Sequence, residues 1–520
     1  MLLPDPGETA TVVTRAHQVS SVVVCYTRRV SPLKICLLSA EMVPFAKTGG
    51  LADVAGALAR EFARRGHDVR PFLPLYRAVR SAGWTFADVP AAAQVPVSLG
   101  GVRYEFSLRT AALPGTDVPA YFIDCPPMFD RRAYYTEDAD EYRRFLLYTR
   151  AVIESCQRLG FAPDVFHCND WHAALLPLLL RTTYGWDQLF GRSRTVLTIH
   201  NIGYQGYMPS IARGDLGLGA NEALLDQADL ARGFINALKT GIRHADVVTT
   251  VSPTYAREIR SAPLGAGLQD ALRARPDEVV GILNGVDYTE WDPRCDPYLR
   301  AHFDPAHLDG KAANKRSLIE LAGLAIEPGV PLIGMVSRLT EQKGIDLLIE
   351  ALPPLLDRRE CAFVVLGAGD ARYAEFFAAM NRRFPSRFGF HHGYDEARAH
   401  VIEAGSDAFL MPSRYEPCGL NQMYSLRYGT IPIVHRTGGL ADTVVPFDPV
   451  TGLGTGCAFN DYDATAVAWA LDTTLDWYRD AVTWRQLMRN AMAEDFSWSR
   501  QILQYEALFG RIAAAGRNNA

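Results

Sequence analysis

The sequence predicts an α/β protein made of two doubly wound domains that face each other across a cleft. Two series of short apolar segments alternate with helical patterns, one beginning at Lys34 and the other near Pro331, as in parallel sheets covered on both faces. The hexapeptide TGGLAD follows a strand in each series, at Thr48–Asp53 and at Thr437–Asp442. One such turn alone is ordinary. Two in facing domains favour one phosphate-bearing ligand, because glycine lets backbone N–H groups approach an anion at a helix start.

The first series opens with a buried strand at Ile35–Ser39, a loop and a helix. Apolar residues from Leu51 to Phe62 recur at helical spacing, and Gly66 ends the predicted helix. Further strands are predicted at DVRPFLPLY, VPAYFID, DVFHCND, RTVLTIHN and DVVTTVS, with helices at DEYRRFLLYTRAVIESCQRLG and HAALLPLLLRTTYG. This order of strands and helices predicts a largely parallel sheet.

The second series contains strands at PLIGMVSRL, CAFVVLGAGD, FGFHHGY, DAFLMPSRYE and TIPIVHRTGG, with helices such as GIDLLIEALPPLLDRR and ARAHVIEAG. The segment SAPLGAGLQDALRARPDEVV between the two series is rich in Pro and Gly and less periodic, as expected of an interdomain connection. The segment WSRQILQYEALFGRIAAAG predicts one amphipathic helix near the C-terminus.

The predicted organisation has five parts. They are a tail outside the fold over residues 1–33, a first domain over 34–265, an interdomain connection over 266–285, a second domain over 286–495 and a C-terminal helix over 496–520. The tail carries acidic residues and only a short apolar run, SVVVCY, so we expect neither a secretory signal nor a membrane helix. The expected location is the cytoplasm, with no membrane partner.

Composition and motifs exclude several classes of function. The 520 residues include 53 basic and 58 acidic side chains, a net charge of −5, so the basic surplus of a nucleic-acid partner is missing. The nine cysteines form no CxxC pair, which favours reduced thiols over a disulfide framework or a zinc site. HExxH, P-loop, zinc-cluster and Ser/His/Asp signatures are absent from the sequence.

Cations stand where they could reach a phosphate. Lys47 precedes the first glycine turn, and Arg338 and Lys343 lie in SRLTEQKG, directly after a predicted strand. Arginine offers a fork of donors and lysine a mobile point charge, so the pair suits a pyrophosphate. The alternative is that these side chains are solvated surface charges.

Polar and aromatic side chains end two strands of the first series. HCNDWHAA places Asp170, Trp171 and His172 at one strand end, and TIHNIGYQG places His200 and Asn201 at another. Such residues offer hydrogen bonds to sugar hydroxyls and a flat face to the ring. A histidine at a strand end can instead cap the following helix.

The segment PSRYEPCGLNQMYSLRYG combines a carboxylate with a helix start. Glu416 precedes a Pro and a Cys-Gly pair, and the helix from Gly419 would direct its N-terminus into the cleft. A carboxylate there could bind sugar hydroxyls or stabilise an oxocarbenium charge. The alternatives are that Glu416 caps the helix and that Cys418 is only a small packing residue.

Eight motifs together resemble those of bacterial glycogen synthases and plant starch synthases. They are KTGGLADV, HCNDWHA, TIHNIGYQG, LNGVDYTEWDP, VSRLTEQKGIDLL, LGAGD, PSRYEPCGLNQMY and RTGGLADTV, in the same order as in that family and covering residues 34 to about 499. The resemblance implies a GT-B fold, with two Rossmann-like domains and a C-terminal helix crossing back to the N-terminal domain. It also implies retaining transfer of glucose from ADP-glucose to the non-reducing end of an α-1,4-glucan, with no metal or other cofactor.

The resemblance also implies roles for particular residues. Four residues would be catalytic: His172 at the sugar, Arg338 and Lys343 at the pyrophosphate, and Glu416 facing the transferred glucose. The substrate-binding group would be Lys47, Gly49, Gly50, Asp53, Asn236, Lys239, Tyr394 at the adenine, Cys418, Gly419, and Thr437 and Gly438 closing over the phosphates. Asp53 could equally be structural. With no carboxylate compellingly placed as a nucleophile, front-face displacement assisted by the donor phosphate is the favoured mechanism.

Three alternatives remain at this stage. One is a GT-B transferase that uses UDP-glucose or a different acceptor. Another is a dinucleotide-dependent oxidoreductase, although the turn after Lys47 lacks the G-x-G-x-x-G spacing that such enzymes need. The third is a non-catalytic glucan-binding relative, which would be expected to have lost the charged residues that are present here.

Overall fold

The computed structural model describes residues 31–275, 277 and 279–518 of the chain. The tail predicted over residues 1–33 therefore lies outside the described residues, apart from its last three. The strands are β1 (Lys34–Leu38), β2 (Asp68–Pro74), β3 (Ala87–Asp88), β4 (Val95–Leu99), β5 (Val102–Ala112), β6 (Pro119–Asp124), β7 (Val165–Asn169), β8 (Arg194–Ile199), β9 (Tyr207–Pro209), β10 (Phe234–Asn236), β11 (Val247–Thr250), β12 (Val280–Gly281), β13 (Leu332–Leu339), β14 (Ala362–Gly369), β15 (Phe388–His392), β16 (Ala408–Met411), β17 (Ile431–His435) and β18 (Cys457–Phe459).

Helices follow most of these strands. They are α1 (Gly50–Arg64), α2 (Arg77–Ser81), α3 (Pro126–Phe129), α4 (Glu141–Arg158), α5 (Asp170–Ala173), α6 (Leu176–Arg181), α7 (Arg213–Leu216), α8 (Gln227–Ala231), α9 (Ala237–His244), α10 (Pro253–Glu258), α11 (Gln269–Arg273), α12 (Asp309–Leu321), α13 (Ile345–Arg358), α14 (Ala371–Arg383), α15 (Glu396–Gly405), α16 (Asn421–Arg427), α17 (Gly438–Thr443), α18 (Ala464–Arg479), α19 (Ala481–Met492) and α20 (Trp498–Asn518). Short 3-10 helices lie at Pro90–Ala92, Gln188–Phe190, Ser210–Ala212, Gly219–Leu224 and Glu341–Lys343.

The strands form two separate main sheets. The ten-stranded first sheet has the order β12-β11-β8-β7-β1-β2-β6-β5-β3, with β4 paired to β5. It is parallel from β12 to β6, and β5 then runs antiparallel. The second sheet has the order β15-β14-β13-β16-β17-β18 and is parallel throughout. In a parallel sheet the carboxyl ends of all strands meet at one edge, where ligands bind.

Both faces of the second sheet are buried, as its near-continuous apolar strands predict. Along β14, Phe363 and Val365 belong to the large core that runs through both domains, whereas Val364 and Leu366 belong to a second cluster on the opposite face. This alternation follows from the period of two in a strand.

Two chain segments cross between the domains side by side. The N–H of Val286 donates to the Phe496 carbonyl at 2.8 Å, and the N–H of Phe496 donates to the Tyr288 hydroxyl at 3.0 Å. Val286 and Ser497 form a parallel bridge. The interdomain connection predicted over 266–285 contains α11 and β12, and β12 extends the first sheet. The predicted domain boundaries themselves stay predictions.

The C-terminal helix α20 returns to the first domain, as the resemblance implies. Phe509 stacks on Phe62 of α1 with ring centroids 5.4 Å apart. Glu506 lies 2.5 Å from the Arg65 guanidinium and 2.8 Å from the His67 ring. The helix is therefore attached to the first domain through apolar and ionic contacts.

We expect Glu506→Gln to lower the free energy of unfolding by about 1–3 kcal/mol, because it loses charged hydrogen bonds. Burial acts to raise the pKa of Glu506, but hydrogen bonds from Arg65 and His67 outweigh it and leave the pKa below its usual value. A lowered carboxyl pKa stabilises the protein above the unfolded pKa, and this contribution disappears as the pH falls through the folded pKa. Urea unfolding at about pH 7 and about pH 3 should show the difference from the parent shrinking in acid. An equal difference at both pH values would contradict this account.

Candidate active site between the two sheets

The two domains touch at the carboxyl edges of their sheets. The Arg338 guanidinium, at the end of β13, donates to the Tyr204 hydroxyl of the first domain at 3.3 Å. At Gly50, a Cβ atom would lie 3.6 Å from Leu420 of the second domain, which is ordinary contact. These contacts place the first glycine turn and the loop after β13 on opposite walls of one cleft.

A largely buried ion pair lies on the wall of the second domain. Lys343 Nζ is 2.6 Å from Glu416 Oε2, and the two side chains are 18% and 8% exposed. Ser413 Oγ donates to the same carboxylate oxygen at 3.0 Å. The pair forms because the 3-10 turn Glu341–Lys343 follows β13 while Glu416 follows the neighbouring strand β16. Lys343 and Glu416, predicted separately, are thus brought into direct contact.

Strand β13 extends to Leu339, so Arg338 is its next-to-last residue rather than part of the loop after it, and its side chain is exposed. Its second terminal nitrogen donates to Gln342 Oε1 at 3.3 Å, and Gln342 donates in turn to the Tyr415 carbonyl at 3.3 Å. These contacts are long for charged hydrogen bonds. The guanidinium therefore keeps donor capacity for an anion in the cleft.

The first glycine turn is held by a carboxylate that the sequence analysis did not identify. Glu41 accepts hydrogen bonds from the Thr48 N–H, from Thr48 Oγ1 at 2.6 Å, from the Gly49 N–H at 3.2 Å and from the Tyr135 hydroxyl at 2.6 Å. Gly49 thus donates its N–H inside the protein, and Gly50 begins α1. Glu41 comes three residues after β1, and no local pattern marks it as a partner of the turn.

Lys47 and Asp53 form an ion pair across the first turn, 3.0 Å apart. Burial acts to lower the pKa of Lys47, but the charges of Asp53 and Glu396 outweigh it and raise the pKa above its usual value. Lys47 therefore stays protonated. The charge of Glu396, a residue of the second domain, contributes to this rise.

Tyr394 exposes a ring at this point of the cleft. The side chain is 76% exposed, and its hydroxyl donates to Glu396. The hydroxyl end is partly shielded from water, and this partial burial, followed by the bond to Glu396, raises the pKa of Tyr394 to about 12. The phenol is therefore neutral, and its exposed face can stack on a planar group.

His172 lies in an aromatic setting on the wall of the first domain. Its ring is 5.0 Å from Tyr135, 4.5 Å from Phe145 and 4.2 Å from Trp171, measured between centroids. Burial, and then the charge of Arg144, lower the pKa of His172 to about 3, so the imidazole is neutral. Within the described part of the chain, its buried Nδ1 has no hydrogen-bond partner.

Asp170 connects this wall to the next strand. It has a φ of +54°, unusual for a residue with a side chain, and its carboxylate accepts the His200 N–H at 2.7 Å. Burial raises the pKa of Asp170 to about 7. Strands β7 and β8 are paired in parallel, so their ends lie side by side, and Asp170 forms a hydrogen bond from one end to the other.

Asn236 and Lys239 are held by other residues of the first domain. Asn236 caps α9 by accepting the Lys239 N–H at 2.9 Å, and its amide donates to Gln205 at 2.7 Å. Lys239 Nζ lies 2.9 Å from both Asp226 and Asp229. Their predicted place beside the sugar stays a prediction.

The second glycine turn also holds a carboxylate, in this case from the opposite domain. Glu258 of α10 accepts from Thr437 Oγ1 at 3.0 Å and from the Gly438 N–H at 3.0 Å. Gly438 has a φ of +45°, and a Cβ there would collide with the Glu416 carbonyl. The expected contact of Thr437 and Gly438 with phosphates stays a prediction, and Glu258 is a further residue that the sequence analysis did not identify.

Cys418 is buried beside this turn, and Gly419 follows it with a φ of +71°. Burial raises the pKa of the Cys418 thiol to about 12. The thiol is therefore neutral at physiological pH and suited to packing rather than to nucleophilic attack.

We expect native Cys418 to resist iodoacetamide at about pH 8, because a buried thiol with a raised pKa supplies little thiolate. Cys295 is exposed and serves as the reactive internal control. Peptide mass spectrometry after timed alkylation measures both sites at once. Equal labelling of Cys418 and Cys295 would contradict the buried, protonated assignment.

Two family descriptions match this chain. Residues 34–274 match the starch synthase catalytic domain, and residues 320–490 match glycosyl transferases group 1. The glycogen synthase of Koribacter versatilis is 44% identical over 490 residues, which cover 92% of this chain and 98% of that protein. The chain belongs to the glycogen synthase and starch synthase family. The glycogen synthase of Anaeromyxobacter dehalogenans strain 2CP-C is 45% identical over 488 residues, covering 92% of this chain and 100% of that protein.

Solved structures agree with this family membership. The catalytic domain of starch synthase IV from Arabidopsis thaliana, bound to ADP and acarbose, matches with a TM-score of 0.85 and 34% identity, over 93% of this chain and 100% of that chain. The sucrose-phosphate synthase of Thermosynechococcus elongatus matches with a TM-score of 0.59 and 18% identity over 92% and 99%, and so shares the fold. The predicted GT-B fold class is confirmed, and the protein is a glycosyltransferase of this family.

Two features are absent from the described residues. No helix among them is long and apolar enough to cross a membrane. The same residues contain no group of three or more His, Cys, Asp or Glu side chains arranged to hold a metal ion.

Proposed function

We propose that this protein transfers glucose from ADP-glucose to the non-reducing end of an α-1,4-glucan, with retention of configuration, and so elongates glycogen. The observation that carries the proposal is the Lys343–Glu416 ion pair, which lies at the carboxyl edge of the second sheet, close in the chain to Arg338 at the end of β13. Family relatives named glycogen synthase and a structural neighbour bound to ADP and acarbose support this choice of donor and acceptor.

The cations suit the departure of ADP. Arg338 and Lys343 would bind the pyrophosphate, whose negative charge grows as the bond to glucose breaks. Lys47 is protonated on the facing wall, where it pairs with Asp53. The exposed Tyr394 ring would stack on the adenine.

The residues proposed to surround the sugar suit a transfer that retains the anomeric configuration without a nucleophile from the protein. Glu416 is already paired with Lys343 and Ser413, so its carboxylate is better suited to stabilise positive charge at the anomeric carbon than to attack it. The unpartnered Nδ1 of neutral His172 would bind a sugar hydroxyl. The acceptor hydroxyl would then attack from the face of the departing phosphate, which takes up its proton.

We place the enzyme in the cytoplasm. All eight cysteines in the described part of the chain are free, and only Cys295 among them is exposed. Free thiols are typical of a reducing compartment.

The test is incorporation of labelled glucose into glycogen, with ADP-glucose and UDP-glucose compared side by side in the presence of EDTA. We expect rapid incorporation from ADP-glucose, with arginine and lysine rather than a metal stabilising the leaving group. Incorporation mainly from UDP-glucose would overturn the donor assignment. The absence of incorporation from both donors would favour a non-catalytic glucan-binding protein or a different acceptor.

A further inference from the structure

We propose that the second TGGLAD turn, Thr437–Asp442, joins the two domains through its hydrogen bonds to Glu258 and Thr254, an arrangement that we call the interdomain clasp. We further propose that Glu258 is a positioning residue, which holds the backbone of Glu416 in place through this turn. The sequence predicts that this turn, like the first, binds a donor phosphate. Its hydrogen bonds are instead made to the first domain. The expected change in kcat rests on the proposed function, whereas the contact between the domains rests on the geometry alone.

The clasp contains two carboxylates, one from each domain, and each accepts hydrogen bonds from the other domain. Glu258 of the first domain accepts hydrogen bonds from Thr437 Oγ1 and from the Gly438 N–H, at 3.0 Å each. Asp442, at the end of the same hexapeptide, accepts the Thr254 N–H at 2.7 Å and Thr254 Oγ1 at 2.6 Å. Helices α10 and α17 are therefore joined at both ends of the motif.

The clasped turn in turn supports the loop that carries Glu416. The Gly439 N–H donates to the Glu416 carbonyl at 3.1 Å. Gly438 approaches the same carbonyl so closely that no Cβ fits between them. Displacement of the turn would therefore shift the Glu416 backbone, and with it the carboxylate bound by Lys343.

Glu258 satisfies the donors that an anion would otherwise use. A donor phosphate at this turn would have to displace the Glu258 carboxylate from the Gly438 N–H. The other TGGLAD copy pairs its Asp53 with Lys47 on the cleft wall, whereas Asp442 pairs with the backbone and hydroxyl of Thr254. The first glycine turn has its N–H groups occupied in the same way, by Glu41. That carboxylate belongs to the turn's own domain, whereas the bonds of the second copy to Glu258 and Thr254 join the two domains.

The test compares Glu258→Ala with Glu258→Gln. Because a glutamine oxygen still accepts from both Thr437 and Gly438, we expect Gln to keep kcat near that of the parent. Ala removes both acceptors, and kcat should fall about tenfold, the scale of a lost charged hydrogen bond, with KM for ADP-glucose almost unchanged. Glu375→Ala, at an exposed position of α14, is the matched control and should leave kcat unchanged.

Two results would overturn the proposal. The first is a kcat for Glu258→Ala equal to that of the parent. The second is tighter ADP binding by both Glu258 variants, measured by calorimetry, which would mean that the carboxylate competes with phosphate for the turn.

Hydrogen exchange separates this inference from the proposed function. In Glu258→Ala, but not in Glu258→Gln, the amides of Gly438 and Gly439 should exchange faster, whether or not the parent transfers glucose. An inactive parent would refute the proposed function alone. Unchanged exchange in Glu258→Ala would refute the clasp alone.

Discussion

Lys343→Ala is expected to abolish most glucosyl transfer while the protein stays folded. Lys343 is the partly buried cation on the loop after β13, in contact with Glu416. Removing one group that stabilises charge in a transition state typically lowers kcat by about 10²- to 10³-fold. The measurement is kcat at saturating ADP-glucose, together with the thermal unfolding midpoint of the same preparation.

Two variants accompany it as controls. Lys343→Arg keeps the positive charge but changes its shape, so it should retain more activity than Lys343→Ala. Lys34→Ala removes an exposed lysine at the start of β1 and should match the parent. Near-normal turnover in folded Lys343→Ala would remove Lys343 from the pyrophosphate site.

Glu416→Gln is expected to have the second largest effect, a fall in kcat of about 10²-fold, because a neutral amide no longer stabilises positive charge at the anomeric carbon. The amide oxygen can still accept from Ser413, so the loop should keep its structure. The KM for ADP-glucose should change little, since the charge matters most in the transition state. Initial rates over a range of donor concentrations separate kcat from KM.

Combining Lys343→Ala with Glu416→Ala tests whether the ion pair acts as a unit. Residues in direct contact give non-additive effects, so the double variant should lose much less than the product of the two single losses. A loss in kcat equal to that product would mean that Lys343 and Glu416 act independently.

Local periodicity was sufficient to predict most of the fold. Every apolar position predicted for α1, from Leu51 to Phe62, is buried. The antiparallel β4–β5 hairpin was not predicted, although Gly100 and Gly101 at its turn have the positive φ angles that such turns require. Its half-exposed strands carry a weaker signal than the fully buried parallel strands.

The sequence predicted individual residues of the candidate site but not the contacts between them. Strand ends and charges singled out Lys343 and Glu416, yet their pairing depends on two strands that are distant in sequence and adjacent in the sheet. Glu258 was missed for the same reason, since it meets the second glycine turn from far away in the sequence. Glu41 lies only seven residues before Thr48, and it was missed because no local pattern marks it as the partner of the turn. Such partners cannot be inferred from the local sequence, because a carboxylate in a loop or at a helix end is usually solvated.

The most direct test of the central claim is proton NMR of a short maltooligosaccharide incubated with the protein and ADP-glucose. The account predicts new α-1,4 anomeric signals that grow in step with the release of ADP. Signals of a β linkage, or release of free glucose and ADP without extension of the primer, would contradict it.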